Sequence, residues 1–198
     1  MNTNLKKLAV EVHQTAIDLE WWWKYDYWKE KMSRYGGALT PEDPCPDILA
    51  AKLALIHSEI SEAYNEWSYG HYSLYYKPDN PDKPEGVIVE LADVLFRALD
   101  LRERLGMKIG TPVDVLLEYG GSSPDTLCMA HNMVSDTVEH LRRNDMHGVE
   151  TQLALFTEMI CFYAYHIMNK SWEPFEEAIQ KKMAYNKTRE IRHGGKAL

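Results

Sequence analysis

The sequence predicts an all-α protein folded as a helical bundle, and three observations carry that prediction. Apolar residues recur at steps of four and three through several long segments, the period of one helix face. No convincing strand pattern of alternating apolar and polar residues is found. Short stretches rich in glycine and proline, which end helices, separate the periodic segments. With 198 residues, 45% of them hydrophobic and 26% charged, the chain can bury a sizeable core, and it is read as one domain over residues 1–198.

The elements follow in order. A first helix runs from about Asn4 into the aromatic stretch EWWWKYDYWKE, with Leu5, Leu8, Val12, Ala16 and Leu19 on one face. The loop GGALTPEDPCPD, with prolines at 41, 44 and 46, ends it. Asp47 stands at an N-cap position, and a second helix carries Leu49, Leu53, Ile56, Ile60, Ala63 and Trp67. Gly70 closes that helix, and KPDNPDKPEG reads as a proline-rich connector. A third helix from about Glu85 to Leu105 carries Val87, Leu91, Val94, Ala98, Leu101 and Leu105 at the same alternating steps, the seam of a packed bundle. After GTPVDVLLEYGGSSPD come helices at about Thr126–Arg143 and Val149–Lys170. A last helix starts near Trp172–Pro174, where proline is tolerated in the first turn, and runs into a basic tail.

Composition narrows the function. A net charge near −8 argues against sequence-independent nucleic-acid binding, which needs a basic face. The chain is basic from Lys181 to Lys196 and acidic in its middle, which suggests an anionic ligand handled locally with a cation. Cys45, Cys128 and Cys161 are widely spaced with no CxxC, so neither a zinc site nor a disulfide framework is expected and a reducing compartment fits. The first residues lack a signal-peptide run, and MICFYAYHIM is too short to span a bilayer, so a cytoplasmic protein without membrane partners is expected.

The informative pattern is a pair of acid rows. Glu59, Glu62 and Glu66 each precede a seam position of the second helix by one residue, and Glu90 and Asp93 do the same on the third. One residue is about 100° of rotation. If the two helices pack antiparallel, as the short connector favours, Glu59, Glu62, Glu90 and Asp93 converge at the edge of the seam. Four half-buried carboxylates repel unless something neutralises them, and a hard divalent cation with oxygen ligands is the natural answer. The plain alternative is a solvated acidic edge. Glu66, one turn further on, is read as a surface acid rather than a third contact of its helix.

The pattern E59-I-S-E62, then E90-L-A-D93, resembles the all-α nucleoside triphosphate pyrophosphatases, the group of MazG-like proteins and dimeric dUTPases. The resemblance implies a MazG-like bundle in which residues 48–105 form the catalytic helix pair and Glu59, Glu62, Glu90 and Asp93 bind Mg²⁺, with Mn²⁺ as a possible substitute. It implies hydrolysis of a nucleoside triphosphate to the monophosphate and pyrophosphate, with dUTP or dCTP as first candidates, and a homodimer. Glu59 or Glu62 would activate the water, and the sequence does not choose between them. A phosphoribosyl-ATP pyrophosphohydrolase shares the acid motif, and a non-catalytic nucleotide-binding or regulatory bundle would keep the fold without turnover. An HD-type phosphohydrolase is disfavoured, because no His-Asp dipeptide occurs.

Two further segments bear on the site. In KKMAYNKTREIRHGGK, Lys182, Asn186, Arg189 and His193 follow steps of 4, 3 and 4 and share a helix face, with Lys196 beyond. Residues 172–198 are therefore read as a phosphate-binding helix and tail, with Lys182, Asn186, Arg189 and Lys196 as contacts. Gln14 and Trp22 are the candidates for the base, Trp22 because three successive tryptophans cannot all face the core. HSEISEAYNEW (57–67) also aligns without gaps to HNMVSDTVEHL (131–141), and VELADVLFRAL (89–99) to TEMICFYAYHI (157–167). Residues 123–170 are thus read as a degenerate repeat, in which Met133 and Cys161 replace two acids while Asp136 and Glu158 remain, unassigned as ligands. His13, His57 and His131 are read as packed or solvated.

Overall fold

The computed structural model describes residues 3–34, 46–109 and 124–191, and among them are seven helices and one two-stranded hairpin. The all-α class holds, and no helix among the described residues is long and apolar enough to cross a membrane.

Helix α1 (Leu5–Asp18) begins at Asn4, whose side chain accepts a hydrogen bond from the Lys7 backbone at 3.0 Å. The expected continuous first helix breaks after Asp18, and α2 (Trp23–Arg34) is a separate element. Glu20 adopts a left-handed conformation (φ 58°), while its amide donates to Ile17 and that of Trp21 to Ala16, both at 2.9 Å. This is a Schellman stop built on glutamate instead of glycine, so the sequence carried no stop signal. The left-handed residue costs about 1–2 kcal/mol. Burial of both Trp21 and Trp22 just beyond it offsets that cost.

Helix α3 (Pro46–Ser68) places Asp47 inside its first turn rather than at the cap, where its charge still suits the helix dipole. Helix α4 (Val87–Arg104) runs antiparallel to it: Lys52 faces Asp100 at 3.9 Å, and Glu59 faces Arg97 at 3.1 Å. The predicted seams are buried on both helices, from Leu49 to Ala63 and from Val87 to Leu101. Helices α1, α3, α6 and α7 all pack on α4, the centre of the bundle.

The connector expected between them holds strands: β1 (Tyr75–Lys77) pairs antiparallel with β2 (Asn80–Glu85) in the register Tyr75↔Glu85 and Tyr76↔Pro84. Pro81 and Pro84 hid it from the periodicity argument; proline is admissible here because each strand has only one neighbour. At the junction with α4, Gly86 has φ 118°, and a Cβ there would lie 2.3 Å from the Ser73 carbonyl oxygen. The first amides of α4 are satisfied from the segment before the hairpin, Val87 donating to His71 at 2.8 Å and Ile88 to Tyr72 at 3.3 Å.

A second helical pair, α5 (Asp125–Arg142) and α6 (Met146–Ile167), packs on the first through α3 and α4. Helix α6 starts a turn earlier than expected because the Asp145 side chain caps the Gly148 amide at 2.9 Å. Helix α7 (Glu173–Lys187) has its proline in the first turn and lies on α4 and α1.

Candidate functional site

Between Val87 and Arg102 every residue of α4 is buried except Asp93 and Arg97. These two, one turn apart, open the central helix to the outside. Asp93 belongs to a cluster with Glu59 and Glu90 in which one carboxylate oxygen from each lies within 4.8 Å of the others. Three of the four predicted acids therefore converge from the antiparallel pair, as the matched rows require. Glu62 is exposed and stands outside that group, near enough that its charge raises the pKa of both Glu59 and Glu90.

Glu66 is not the surface acid expected. It is 7% exposed and accepts hydrogen bonds from the Tyr75 hydroxyl at 3.0 Å and from His71 Nδ1 at 3.1 Å. The acid row thus ends in a structural tie between α3 and the hairpin. His71 and Tyr75 follow the end of α3 and reach Glu66 only because the chain folds back there, which helical periodicity does not register.

Burial and crowding shift the cluster. Loss of solvent, together with the Asp93 charge, pushes the Glu59 carboxyl up to about 7, against the pull of Arg97. Burial pushes Glu90 up to about 8, against the pull of Lys182. Glu90 is 2% exposed, and its Oε2 has no hydrogen-bond partner. An orphaned, buried carboxylate oxygen facing two further carboxylates is the arrangement a hard cation completes, so the donor set fits Mg²⁺ or Mn²⁺.

Helix α7 ends at Lys187, so of the tail residues expected on one face only Lys182 and Asn186 belong to it, and both turn inward, while Arg189 lies beyond its end. Lys182 is 2% exposed, with Nζ 2.9 Å from Asp93 Oδ2 and 3.7 Å from Glu90 Oε2. Burial alone would lower its pKa, but Asp93 and Glu90 together raise it. It is therefore a buried counter-charge to the acids and not an open phosphate contact. Asn186 donates to Asp93 Oδ1 at 3.2 Å. Arg189 lies with its guanidinium 5.8 Å from the Tyr185 ring and lines a recess beside the cluster. His193 and Lys196 lie outside the described residues.

That recess, of about 60 Å³, is bounded by Trp21, Phe96, Arg97, Asp93, Asn186 and Arg189. Its aromatic wall is Trp21, not Trp22. Trp22 is 1% exposed and donates its indole N–H to Asp100 at 2.8 Å, so it cannot stack on a ligand. Gln14 is exposed and donates to Asp18 at 2.8 Å, away from the recess. Trp21 was missed because a helix continued through residues 19–22 would have set the three tryptophans at the wrong angles.

The histidines have partners. His13 Nδ1 is 2.7 Å from Asp100. His57 and His131, matched positions in the two aligned segments, meet with Nδ1 atoms 2.7 Å apart and rings within 11° of parallel. The 5.0 Å centroid separation equals that nitrogen gap plus the two ring radii, so the rings lie edge to edge in one plane and share a hydrogen bond. The second helical pair gathers no carboxylate cluster of its own among the described residues. Asp136 is exposed, Cys161 is fully buried with its thiol pushed up to about 12, and Glu158 lies beside Arg102.

No protein-family model, curated protein or solved structure matches this chain.

Proposed function

We propose that this chain is a MazG-like, divalent-cation-dependent nucleoside triphosphate pyrophosphohydrolase. The observation that carries the reading is the convergence of Glu59, Glu90 and Asp93, with an orphaned Glu90 oxygen, beside a recess walled by Trp21 and Arg189. Glu59, Glu90 and Asp93 would hold the Mg²⁺ or Mn²⁺ ion, with Glu62 at the edge. When bound, such an ion neutralises phosphate charge and lowers the pKa of a coordinated water.

The chain's own residues divide the remaining work. Glu62 makes no hydrogen bond or ion pair among the described residues, so its carboxylate is available to take the proton of the attacking water. The water oxygen bonds to the α-phosphorus, the bond from that phosphorus to the bridging oxygen breaks, and pyrophosphate leaves with the electron pair. Arg189 and Arg97 line the recess, and a guanidinium suits phosphate oxygens. Trp21 offers an aromatic face to the base. By resemblance, dUTP and dCTP head the list of substrates, and a cytoplasmic homodimer is the assembly.

One observation favours a second reading. Arg97 and Lys182 already compensate the acids, so the cluster could serve a nucleotide-binding bundle without turnover. Pyrophosphate release separates the two. Canonical and modified dNTPs and NTPs, with phosphoribosyl-ATP, are assayed in Mg²⁺ with Glu59→Gln as control. Release from at least one, lost in the variant, is expected; none from a folded chain favours the binding bundle.

A further inference from the structure

We propose that the Lys182 ammonium takes the place of a second metal ion, so that the acid site holds a single divalent cation per chain. The inference rests on the acid cluster being a cation site, as proposed above, and concerns how that site is completed.

The oxygens still free to bind an ion are few. Glu59 Oε1 accepts from two nitrogens of Arg97, each at 3.1 Å. Asp93 Oδ1 accepts from Asn186 at 3.2 Å, and Asp93 Oδ2 faces Lys182 at 2.9 Å. Within the three-acid cluster, what remains without a partner is Glu59 Oε2 and the two oxygens of Glu90, the second of which lies 3.7 Å from Lys182 without a hydrogen bond, while Glu62 stands outside the cluster. These three oxygens, with a lone pair of Asp93 that its two donors leave open and with water or phosphate in the other positions, make one hexacoordinate site. The ammonium beside Asp93 stands where a second ion would need that carboxylate.

Charge leads to the same count. Glu59, Glu62, Glu90 and Asp93 are four carboxylates when ionised, and Arg97 and Lys182 are two fixed cations among them. The deficit of two is cancelled by one divalent ion and overshot by a second. Lys182 cannot easily withdraw to make room. It is 2% exposed, and its helix packs on α4 through buried Phe175, Ala178, Ile179 and Met183. A lysine stem threaded through such packing delivers its charge to one spot, as a bound ion would.

The test uses the full chain, free of nucleotide and stripped of metal, titrated with Mn²⁺ and followed by calorimetry and by the paramagnetic resonance of free Mn²⁺. One equivalent per chain is expected for the wild type. Lys182→Gln and Lys182→Met free Asp93 Oδ2 and remove a positive charge, so each should bind the first ion about tenfold more tightly or accept a second equivalent. Two equivalents in the wild type would overturn the proposal while leaving the cation site intact. A folded Lys182 variant that binds one ion with unchanged affinity would overturn it as well. No uptake by any of these proteins would remove the cation site itself, and the proposed function with it. The wild-type count stands even if both variants misfold, and Lys182→Met combined with Asp93→Asn removes the pair without stranding a buried charge.

Discussion

The indole N–H of Trp22 donates to Asp100 at 2.8 Å, and neither residue is more than 5% exposed. The same oxygen of Asp100 lies 2.7 Å from His13 Nδ1, so one buried carboxylate ties α1 and the break after it to α4. Trp22→Phe leaves that carboxylate short of a donor and should cost about 1–3 kcal/mol in urea unfolding. Turnover per folded molecule should stay within a few-fold of the wild type. Trp21 is also buried, so Trp21→Ala should cost stability as well, about 3–5 kcal/mol, but at the proposed site it should in addition raise KM for the nucleotide at least tenfold while kcat per folded molecule changes little.

Glu59 and Glu62 should fail differently. Glu62 is exposed, so Glu62→Gln should leave the melting temperature and Mn²⁺ affinity nearly unchanged and lower kcat by at least a hundredfold. Glu59 is buried in the cluster and paired with Arg97, so Glu59→Gln should weaken Mn²⁺ binding along with kcat. Full turnover by Glu62→Gln would take the proton-acceptor role from Glu62.

Asp93→Ala is a poor test of catalysis taken alone. It leaves the Lys182 ammonium, 2% exposed, with only Glu90 at 3.7 Å in place of its 2.9 Å partner, and removing one partner of a buried pair costs about 3–5 kcal/mol. Chemical denaturation should show that loss, and Asp93→Asn combined with Lys182→Met should recover most of it. Turnover should remain absent in both, which separates stability from chemistry.

Stability should respond to pH in the direction opposite to the usual acid unfolding. The Glu59 and Glu90 carboxyls stand at about 7 and about 8 because burial disfavours their charged forms. Between about pH 5 and 8 the folded chain keeps protons that an unfolded chain has released, so these groups make it less stable as pH rises. Without metal, the melting temperature should fall across that window, with a slope on the order of 1 kcal/mol per pH unit from Glu90. Glu90→Gln should flatten the slope, and saturating Mg²⁺ should oppose it by favouring the ionised carboxylates.

The acid rows were legible because a helix translates sequence spacing into direction: a one-residue offset from two matched seams fixes where Glu59, Glu90 and Asp93 point once the pair is antiparallel. The boundaries of α4 and the start of α7 were legible too, whereas α7 ends at Lys187 instead of running on through the basic tail. What periodicity could not carry was any feature decided by partners distant in the chain. Lys182 looks like a solvated basic residue until α7 is laid on α4, and Glu66 looks superficial until Tyr75 arrives from the hairpin. The turn at Glu20 is set by the burial of Trp21 and Trp22, with no glycine or proline to announce it.

The hairpin between α3 and α4 acts as a gauge. Its near end is tied to Glu66 through Tyr75, and its far end passes Gly86, where a carbonyl already fills the space a side chain would need. The segment therefore sets how far one acidic helix is slid along the other. Adding or deleting a single residue there would set the hairpin's ties to Glu66 and at Gly86 against the packing of α4, which holds Glu90 and Asp93 opposite Glu59. A change in the number of residues between Glu66 and Gly86 should therefore harm the cluster more than substitution of the exposed strand residues that hold neither end.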